Sequence, residues 1–262
     1  MERLGVSPKF ASLSHGHTDS NVINDHQNVF MRKSWWKILS VVLLVYTVVA
    51  GLLLPVPMLR QLQETIRNLY FHVCMWFAMM TLFTISVIQS IKYLRGLDLQ
   101  RDIRAKEYAS TGIVFGLLGY ATGTIWASYT WADPNNPAFA SFGSIVREPK
   151  LIGAAMALLI YFAYFVLRSS IPDLDKRARV SAVYNIFAYA MLFPSIWIIP
   201  RLLPSLHPGR EGNPALNPVD IDGRMRMVFY PAVIGWTLLG VWITTLKIRL
   251  TLLTEKNWLN AK

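Results

Sequence analysis

The chain has a single cysteine, Cys74, among its 262 residues. One cysteine forms neither an intrachain disulfide framework nor a paired-thiol redox motif, which excludes both of these classes of protein. Cys74 lies inside an uncharged stretch, where an unpaired cysteine normally behaves as a small buried hydrophobic residue. We therefore expect a core position for it and no chemical role.

Charged residues are missing from six long stretches, although the chain has 26 basic and 15 acidic residues. Each stretch is long enough to cross a hydrocarbon core of about 30 Å as a helix. One charge at the centre of such a helix costs roughly 2.5–3.5 kcal/mol on insertion scales. The pattern predicts an all-α integral membrane protein, a six-transmembrane-helix bundle. The predicted spans are about 38–59, 68–91, 108–132, 151–167, 180–200 and 227–246.

The basic residues indicate how the bundle is oriented. With the N-terminal tail in the cytoplasm, the cytoplasmic segments hold 18 Lys and Arg and the outer loops hold 8. This bias predicts that both termini are cytoplasmic. The net charge of +11 is thus mainly a topology signal, with some attraction to the anionic lipid bilayer. Because the basic residues are scattered over several short segments, we expect no nucleic-acid partner.

The predicted bundle has polar ends. Residues 1–34 contain no apolar run of the signal-peptide type, so we expect a disordered cytoplasmic tail there and no cleaved signal. Residues 35–250 form the predicted membrane domain, and 251–262 a second cytoplasmic tail. Within the third span, small residues recur in a pattern that lets a neighbouring helix approach closely. These residues are Gly112, Gly116, Gly119 and Gly123.

Two histidines lie outside the N-terminal tail, and the topology places both on the outer side. His72 is about one turn into the second span, and His207 lies in the loop between the fifth and sixth spans. Taken singly, an intramembrane histidine is usually a packing residue, and a loop histidine is usually solvated. As a pair, they are suited to bind one haem iron from opposite sides. Arg67, at the water boundary, is placed to pair with a haem propionate.

Both histidine segments resemble motifs of the CcmC family, within the wider CcmC/CcsA group of cytochrome c biogenesis proteins. Residues 67–72 (RNLYFH) are similar to its Arg-x-x-Tyr-x-His pattern, and residues 206–209 (LHPG) resemble its second histidine loop. The six spans and the cytoplasmic termini are similar as well, over about residues 35–250. The resemblance implies that His72 and His207 are axial ligands of haem b and that Tyr70 belongs to the same site.

The resemblance also implies a location and partners. It places the chain in the bacterial inner membrane, where haem is presented to the periplasmic chaperone CcmE. The implied neighbours are the ATP-binding cassette pair CcmA and CcmB and the small subunit CcmD. Haem is held and passed on without bond-making by the polypeptide, so we expect a carrier and assembly factor, and no enzyme.

The chain departs from the family in its tryptophan-rich segment. The family signature is approximately Trp-Gly-x-x-Trp-x-Trp-Asp, and here only Trp126 and Trp131 carry over to the outer platform for haem. We expect Phe139 and Phe142 to supply flat apolar surface in place of the missing tryptophans. The loop from residue 128 to 150 is accordingly the expected docking and haem-presenting surface.

Three other functions suit a helical membrane protein. A b-type cytochrome subunit of a quinol-linked oxidoreductase normally needs histidines at two depths, and His72 and His207 are predicted at one. A channel or secondary transporter marks its pathway with ionisable groups near the midplane, and the six uncharged stretches have none. A CcsA-type haem-attachment synthase shares the tryptophan-rich signature, but six spans with two candidate ligands fit the smaller carrier better.

Overall fold

The computed structural model describes five parts of the chain, which are residues 34–58, 62–131, 142–198, 202–203 and 221–260. Within them the side chains of residues 142, 144 and 255–260 are not described. The described residues form helices and no strand, so the predicted all-α fold is confirmed. The α-helices are α1 (Trp35–Leu53), α2 (Leu69–Gly96), α3 (Leu99–Thr130), α4 (Phe142–Val146), α5 (Pro149–Ser170), α6 (Leu174–Phe193) and α7 (Gly223–Asn260).

Two shorter helical segments adjoin these helices. A 3₁₀ helix, Gln63–Asn68, leads directly into α2, and a π-helical segment, Pro194–Ile198, continues α6. The π segment begins at a proline, as expected, since proline lacks the N–H that an α-helix requires. α7 continues without a break through the predicted domain boundary at residue 250.

Five stretches are long and apolar enough to cross a membrane, judged by length and composition within the described residues. They are Trp35–Leu53, Gln63–Gly96, Pro149–Ser170, Leu174–Ile198 and Gly223–Thr254. The predicted third span falls in α3, which is not among them although it has 32 residues. α3 packs against α2, α5, α6 and α7. Its face toward α2 is built from glycines, which permit close packing but lower the hydropathy of the helix. Its other face is exposed and apolar, as at Val114, Leu117 and Ile125.

The contact between α2 and α3 depends on glycine. An added Cβ at Gly112 would lie 2.6 Å from Phe83, and one at Gly116 would lie 2.8 Å from the Met79 sulfur. At Gly119 it would lie 3.0 Å from the Trp76 ring. Each of these positions therefore accepts a large side chain from the facing helix, which confirms the close approach predicted from the glycine spacing.

The largest apolar cluster lies between α2, α3, α5 and α6, where Phe83 stacks on Tyr161 with ring centroids 3.6 Å apart. A second cluster joins the first half of α2 to α7 and includes Cys74, which is fully buried as expected. α1 packs on α7, and the end of α1 contacts the second cluster through Ala50. The helices alternate in direction, so one end of the bundle, here called the His72 end, holds the start of α2 and the end of α3.

The opposite end, here called the Asp102 end, is held by buried charges. Arg168 of α5 donates two hydrogen bonds to the Asp102 carboxylate of α3, one of them 2.7 Å long, and both side chains are buried. Lys247 of α7 lies 3.2 Å from the Glu107 carboxylate. The chain reverses tightly between α2 and α3, because Leu97 has a left-handed backbone (φ 52°) and the Asp98 carboxylate caps α3.

Candidate functional site

His72 is held against α3 in a fixed orientation. Its Nδ1 lies 2.9 Å from the carbonyl oxygen of Gly119 and 3.3 Å from the hydroxyl of Thr122. A carbonyl only accepts hydrogen bonds, so Nδ1 carries the proton of the neutral ring and donates it to Gly119. The lone pair is then on Nε2. This is the arrangement in which metal-binding histidines are normally found, with the second ring nitrogen donating to a carbonyl or carboxylate.

The His72 ring fits because α3 has no side chain beside it. A Cβ added at Gly123 would overlap Cε1 of His72 and would lie 3.0 Å from Nδ1 and 3.3 Å from Nε2. The ring also lies between two indoles, with Trp76 at 6.3 Å and Trp126 at 6.0 Å between centroids, both edge to face. His72 is consequently 8% exposed.

A cavity of about 360 Å³ opens at the His72 end, between the 3₁₀ helix, the start of α2 and the last turns of α3. It combines apolar and aromatic walls with one carboxylate, one guanidinium and several neutral polar groups. The lining residues are Glu64, Thr65, Arg67, Asn68, Phe71, Thr122, Ile125, Trp126 and Tyr129. His72 is absent from this lining, although two of the lining residues, Thr122 and Trp126, contact its ring.

Two hydrogen bonds join the 3₁₀ helix to α3 across the cavity. The indole Nε1 of Trp126 donates to the Thr65 hydroxyl oxygen at 3.0 Å. The side-chain amide of Asn68 donates to the carbonyl oxygen of Thr122 at 3.4 Å. Both bonds lie beside the face of α3 that holds His72.

Arg67 lines the cavity, and most of its hydrogen-bonding capacity is used by the protein. Its Nη1 donates to the carbonyl oxygens of Gly51 and Leu54, at 2.6 and 2.7 Å, and its Nε donates to Glu64 at 2.6 Å. The carbonyls at the end of α1 have no partner within the helix, so Arg67 closes that end. Of the five N–H donors of the guanidinium, those on Nη2 are the ones left for a propionate.

Two residues expected at the site lie apart from His72. Tyr70 is buried in the apolar cluster between α2 and α7, beside Gly51 of α1. Each residue of an α-helix is rotated by about 100° from the one before, so residues two apart lie on nearly opposite faces. This explains why Tyr70 and His72 face different neighbours. Trp131, just past α3, packs against Ala127, Ile145 and Leu151. It therefore covers the junction of α3 with α4 and α5.

The remaining candidates lie at or beyond the edge of the described structure. His207 and Phe139 are outside the described residues, and Phe142 begins α4 with a side chain that is not described. Their expected roles in iron ligation and haem presentation stay predictions.

Sequence reasoning missed three residues that position the site. Gly119 supplies the carbonyl for His72, Thr122 adds a hydroxyl beside it, and Thr65 accepts the hydrogen bond from Trp126. The glycine pattern of α3 indicated that a helix would pack there. It did not indicate which one, so the backbone partner of His72 was not predictable.

Together these features define an all-α, multi-pass membrane protein in which a histidine of one helix, in metal-ligand orientation, lies below a cavity at one end of the bundle. The family model "Heme exporter protein C" (CcmC) matches residues 21–260. The chain belongs to this family, as its two histidine motifs suggested. A comparison with curated proteins found no match.

Family membership establishes the coarse function. The chain is a membrane subunit of a haem exporter that acts in cytochrome c maturation, and it works within a system that has other subunits. Its family is a transport component of haem export. Haem is thus the cargo of the protein.

Proposed function

We propose that the chain holds haem b at the His72 end, with His72 and His207 as axial iron ligands, and passes it to a periplasmic chaperone of the CcmE type. The observation that carries this proposal is the 2.9 Å hydrogen bond from Nδ1 of His72 to Gly119. A neutral imidazole has one unprotonated nitrogen, and this bond places it at Nε2, which is the arrangement normally found in metal-binding histidines.

The cavity supports the proposal through its chemistry. A porphyrin presents a flat apolar face and two carboxylates, and Phe71 and Trp126 supply aromatic surface beside the guanidinium of Arg67. The donors on Nη2 of Arg67 then pair with a propionate. Trp131, Phe139 and Phe142 form the surface that presents the exposed haem edge to the chaperone.

The proposal also fixes the membrane arrangement. α3, the third long helix along the chain, completes a set of six spans. Both termini are cytoplasmic, and the His72 end faces the periplasm from the bacterial inner membrane. CcmA, CcmB and CcmD are the neighbouring exporter subunits. The Lys and Arg bias and the packing of α3 against α2, α5, α6 and α7 support this arrangement.

Reporter fusions check the arrangement directly. Each fusion keeps the chain up to one residue and adds a reporter that is active on only one side of the membrane. Fusions after Arg60, Ile145 and Gly212 are expected to report the periplasm, and fusions after Gln100, Asp175 and Glu255 the cytoplasm. An inverted pattern would put both histidines in the cytoplasm and contradict transfer to a periplasmic chaperone.

Substitution of the two histidines tests ligation. We expect His72→Ala and His207→Ala each to weaken or alter the b-type absorption spectrum of the purified protein, because each removes one axial ligand. Protein amount in the membrane is measured alongside, and His26→Ala in the N-terminal tail is the matched control. Added imidazole is expected to restore part of the signal in His72→Ala.

A wild-type spectrum in the His72→Ala, His207→Ala double variant would show that other residues hold the iron. Transfer of haem to the chaperone is measured separately from haem content. Retained haem with no transfer in any preparation would refute the carrier role while leaving the ligand assignment intact.

A further inference from the structure

The structure shows His72 oriented for an iron but closed to it. Its ring is 8% exposed and does not line the cavity. An axial ligand must come within bonding distance of an iron that sits in the middle of a broad, rigid macrocycle. A side chain therefore has to move before Nε2 of His72 meets such a ligand.

Trp126 is the aromatic side chain that contacts both the cavity and His72. It lines the cavity on one side, and on the other its ring lies edge to face with His72. It is three residues after Gly123, the glycine that accommodates the His72 ring, so it covers the same face of α3 one turn nearer the end. Trp76 lies on the other side of His72, one turn further along α2. Thr122 and Trp126 both line the cavity and contact the His72 ring. The small Thr122 side chain donates a hydrogen bond to the Leu118 carbonyl of its own helix, so Trp126 is the bulky side chain between the helices at this point.

The indole is held in this position by one hydrogen bond from its own side chain. Its Nε1 donates to Thr65 at 3.0 Å. The 3₁₀ helix that carries Thr65 is itself fixed, because Arg67 bonds to the end of α1 and Asn68 bonds to Thr122. The frame around the indole is thus anchored by backbone contacts, and the ring itself borders the cavity of about 360 Å³.

We propose that Trp126 is a gate for His72, held closed by the Thr65 hydroxyl, and that haem reaches Nε2 only after the indole swings into or across the cavity. This rests on the proposed function for the identity of the cargo. The closed form keeps a free imidazole from binding other metals, and the open form exposes it where the porphyrin arrives. The indole that closes the site then becomes part of the aromatic wall around the haem.

The gate is tested without haem by the reactivity of His72 toward diethyl pyrocarbonate, which modifies unprotonated imidazole nitrogen. Modification of the full-length protein in detergent is followed by peptide mass spectrometry and normalised to the other four histidines. Trp126→Ala is expected to speed modification of His72 about 10-fold or more, since the rate follows the fraction of open molecules. Thr65→Val is expected to speed it roughly 2- to 10-fold, the value of one hydrogen bond.

Matched variants separate the gate from general loosening of the bundle. Thr65→Ser keeps the hydroxyl and is expected to modify at the wild-type rate. Trp242→Ala removes an indole from α7 beside Lys37, at the other end of α1, and is also expected to match wild type. Equal His72 rates in wild type, Trp126→Ala and Thr65→Val would overturn the gate, as would an equal acceleration in Trp242→Ala.

Haem association then reports on the proposed function independently. Faster association in Trp126→Ala, with faster modification, supports both proposals. Faster modification without haem binding in any variant would leave the gate standing and refute the haem site. Normal haem binding with unchanged association and modification rates in Trp126→Ala would refute the gate alone.

Discussion

Replacing Gly123 with alanine is expected to weaken haem binding by about 10- to 100-fold, the range seen when the residues that orient a metal ligand are changed. The added Cβ overlaps Cε1 of His72, so the ring has to turn away from α3. That movement breaks the hydrogen bond from Nδ1 to Gly119. The tautomer with the proton on Nδ1 and an unprotonated Nε2 is then no longer favoured. The loss is measured by haem titration of the purified variant.

Other glycines provide controls for this substitution. A Cβ at Gly96 meets no atom within 4 Å, so Gly96→Ala is expected to bind haem as wild type does. A Cβ at Gly112 meets Phe83 at 2.6 Å, so Gly112→Ala strains the same helix pair at a point distant from His72. It is expected to lower stability by about 1–3 kcal/mol, the usual cost of overpacking, with haem affinity retained. Equal haem loss in Gly112→Ala and Gly123→Ala would show that His72 orientation is not the cause.

The class of fold could be predicted from the sequence because membrane-spanning helices contain long stretches without charged residues. An uncharged run falls in each of the six long helices described, and five of these helices are also long and apolar enough to cross a membrane. The exception, α3, shows the limit of that signal. Glycines form its contact with α2, and a helix rich in glycine, serine and threonine has a lower mean hydropathy than one built from branched apolar residues, although its outer face is apolar.

The site was predictable in its residues but less so in their contacts. His72 was identified from its residue type and depth, which depend on nothing distant in the sequence. Arg67 lines the cavity as expected, yet its main partners are backbone carbonyls at the end of α1, 13 and 16 residues earlier. Every residue has a backbone carbonyl, so residue types do not indicate which carbonyl accepts a hydrogen bond. The position of Tyr70 was readable in principle, because residues two apart on a helix cannot share a face.

The bond between Trp126 and Thr65 was beyond the sequence altogether. The two residues are 61 positions apart, and neither type requires the other. A tryptophan near the end of a membrane helix is normally explained by the interfacial aromatic belt. Its contact with His72 becomes visible only once the glycines of α3 bring α2 alongside, which is a property of the packed pair of helices.

The contacts of the charged residues at the Asp102 end could not be predicted either, since the sequence gives only their number and their position relative to the spans. The segments 92–106 and 168–179 lie between predicted spans and contribute to the cytoplasmic Lys and Arg count, and in the structure much of both is helical. Asp102 and Arg168 are 4% and 9% exposed, so they are structural members of the bundle. The membrane-end charges that set topology therefore also hold α3 to its neighbours.

Removing one partner of this pair is expected to have the largest effect on stability. Asp102→Ala leaves the guanidinium of Arg168 buried beside Tyr164, to which it also donates a hydrogen bond, and Arg168→Ala leaves a buried carboxylate. Breaking a buried pair in this way costs about 3–5 kcal/mol, because the remaining charge keeps its desolvation penalty without its partner. We expect both single variants to unfold at clearly lower temperature in detergent.

The double variant distinguishes a buried charge from lost packing. The Asp102→Ala, Arg168→Ala double variant has neither charge, so no charge is left unpaired. Its loss of unfolding free energy is therefore expected to be smaller than the sum of the two single losses. Arg101→Ala, which removes a partly exposed partner of Asp98 at 3.7 Å, is expected to cost about 1 kcal/mol or less. Additive losses in the double variant would contradict the pairing. Because the pair lies at the Asp102 end, the folded fraction of each variant is expected to keep the haem spectrum of wild type, which makes stability and ligation separable in one chain.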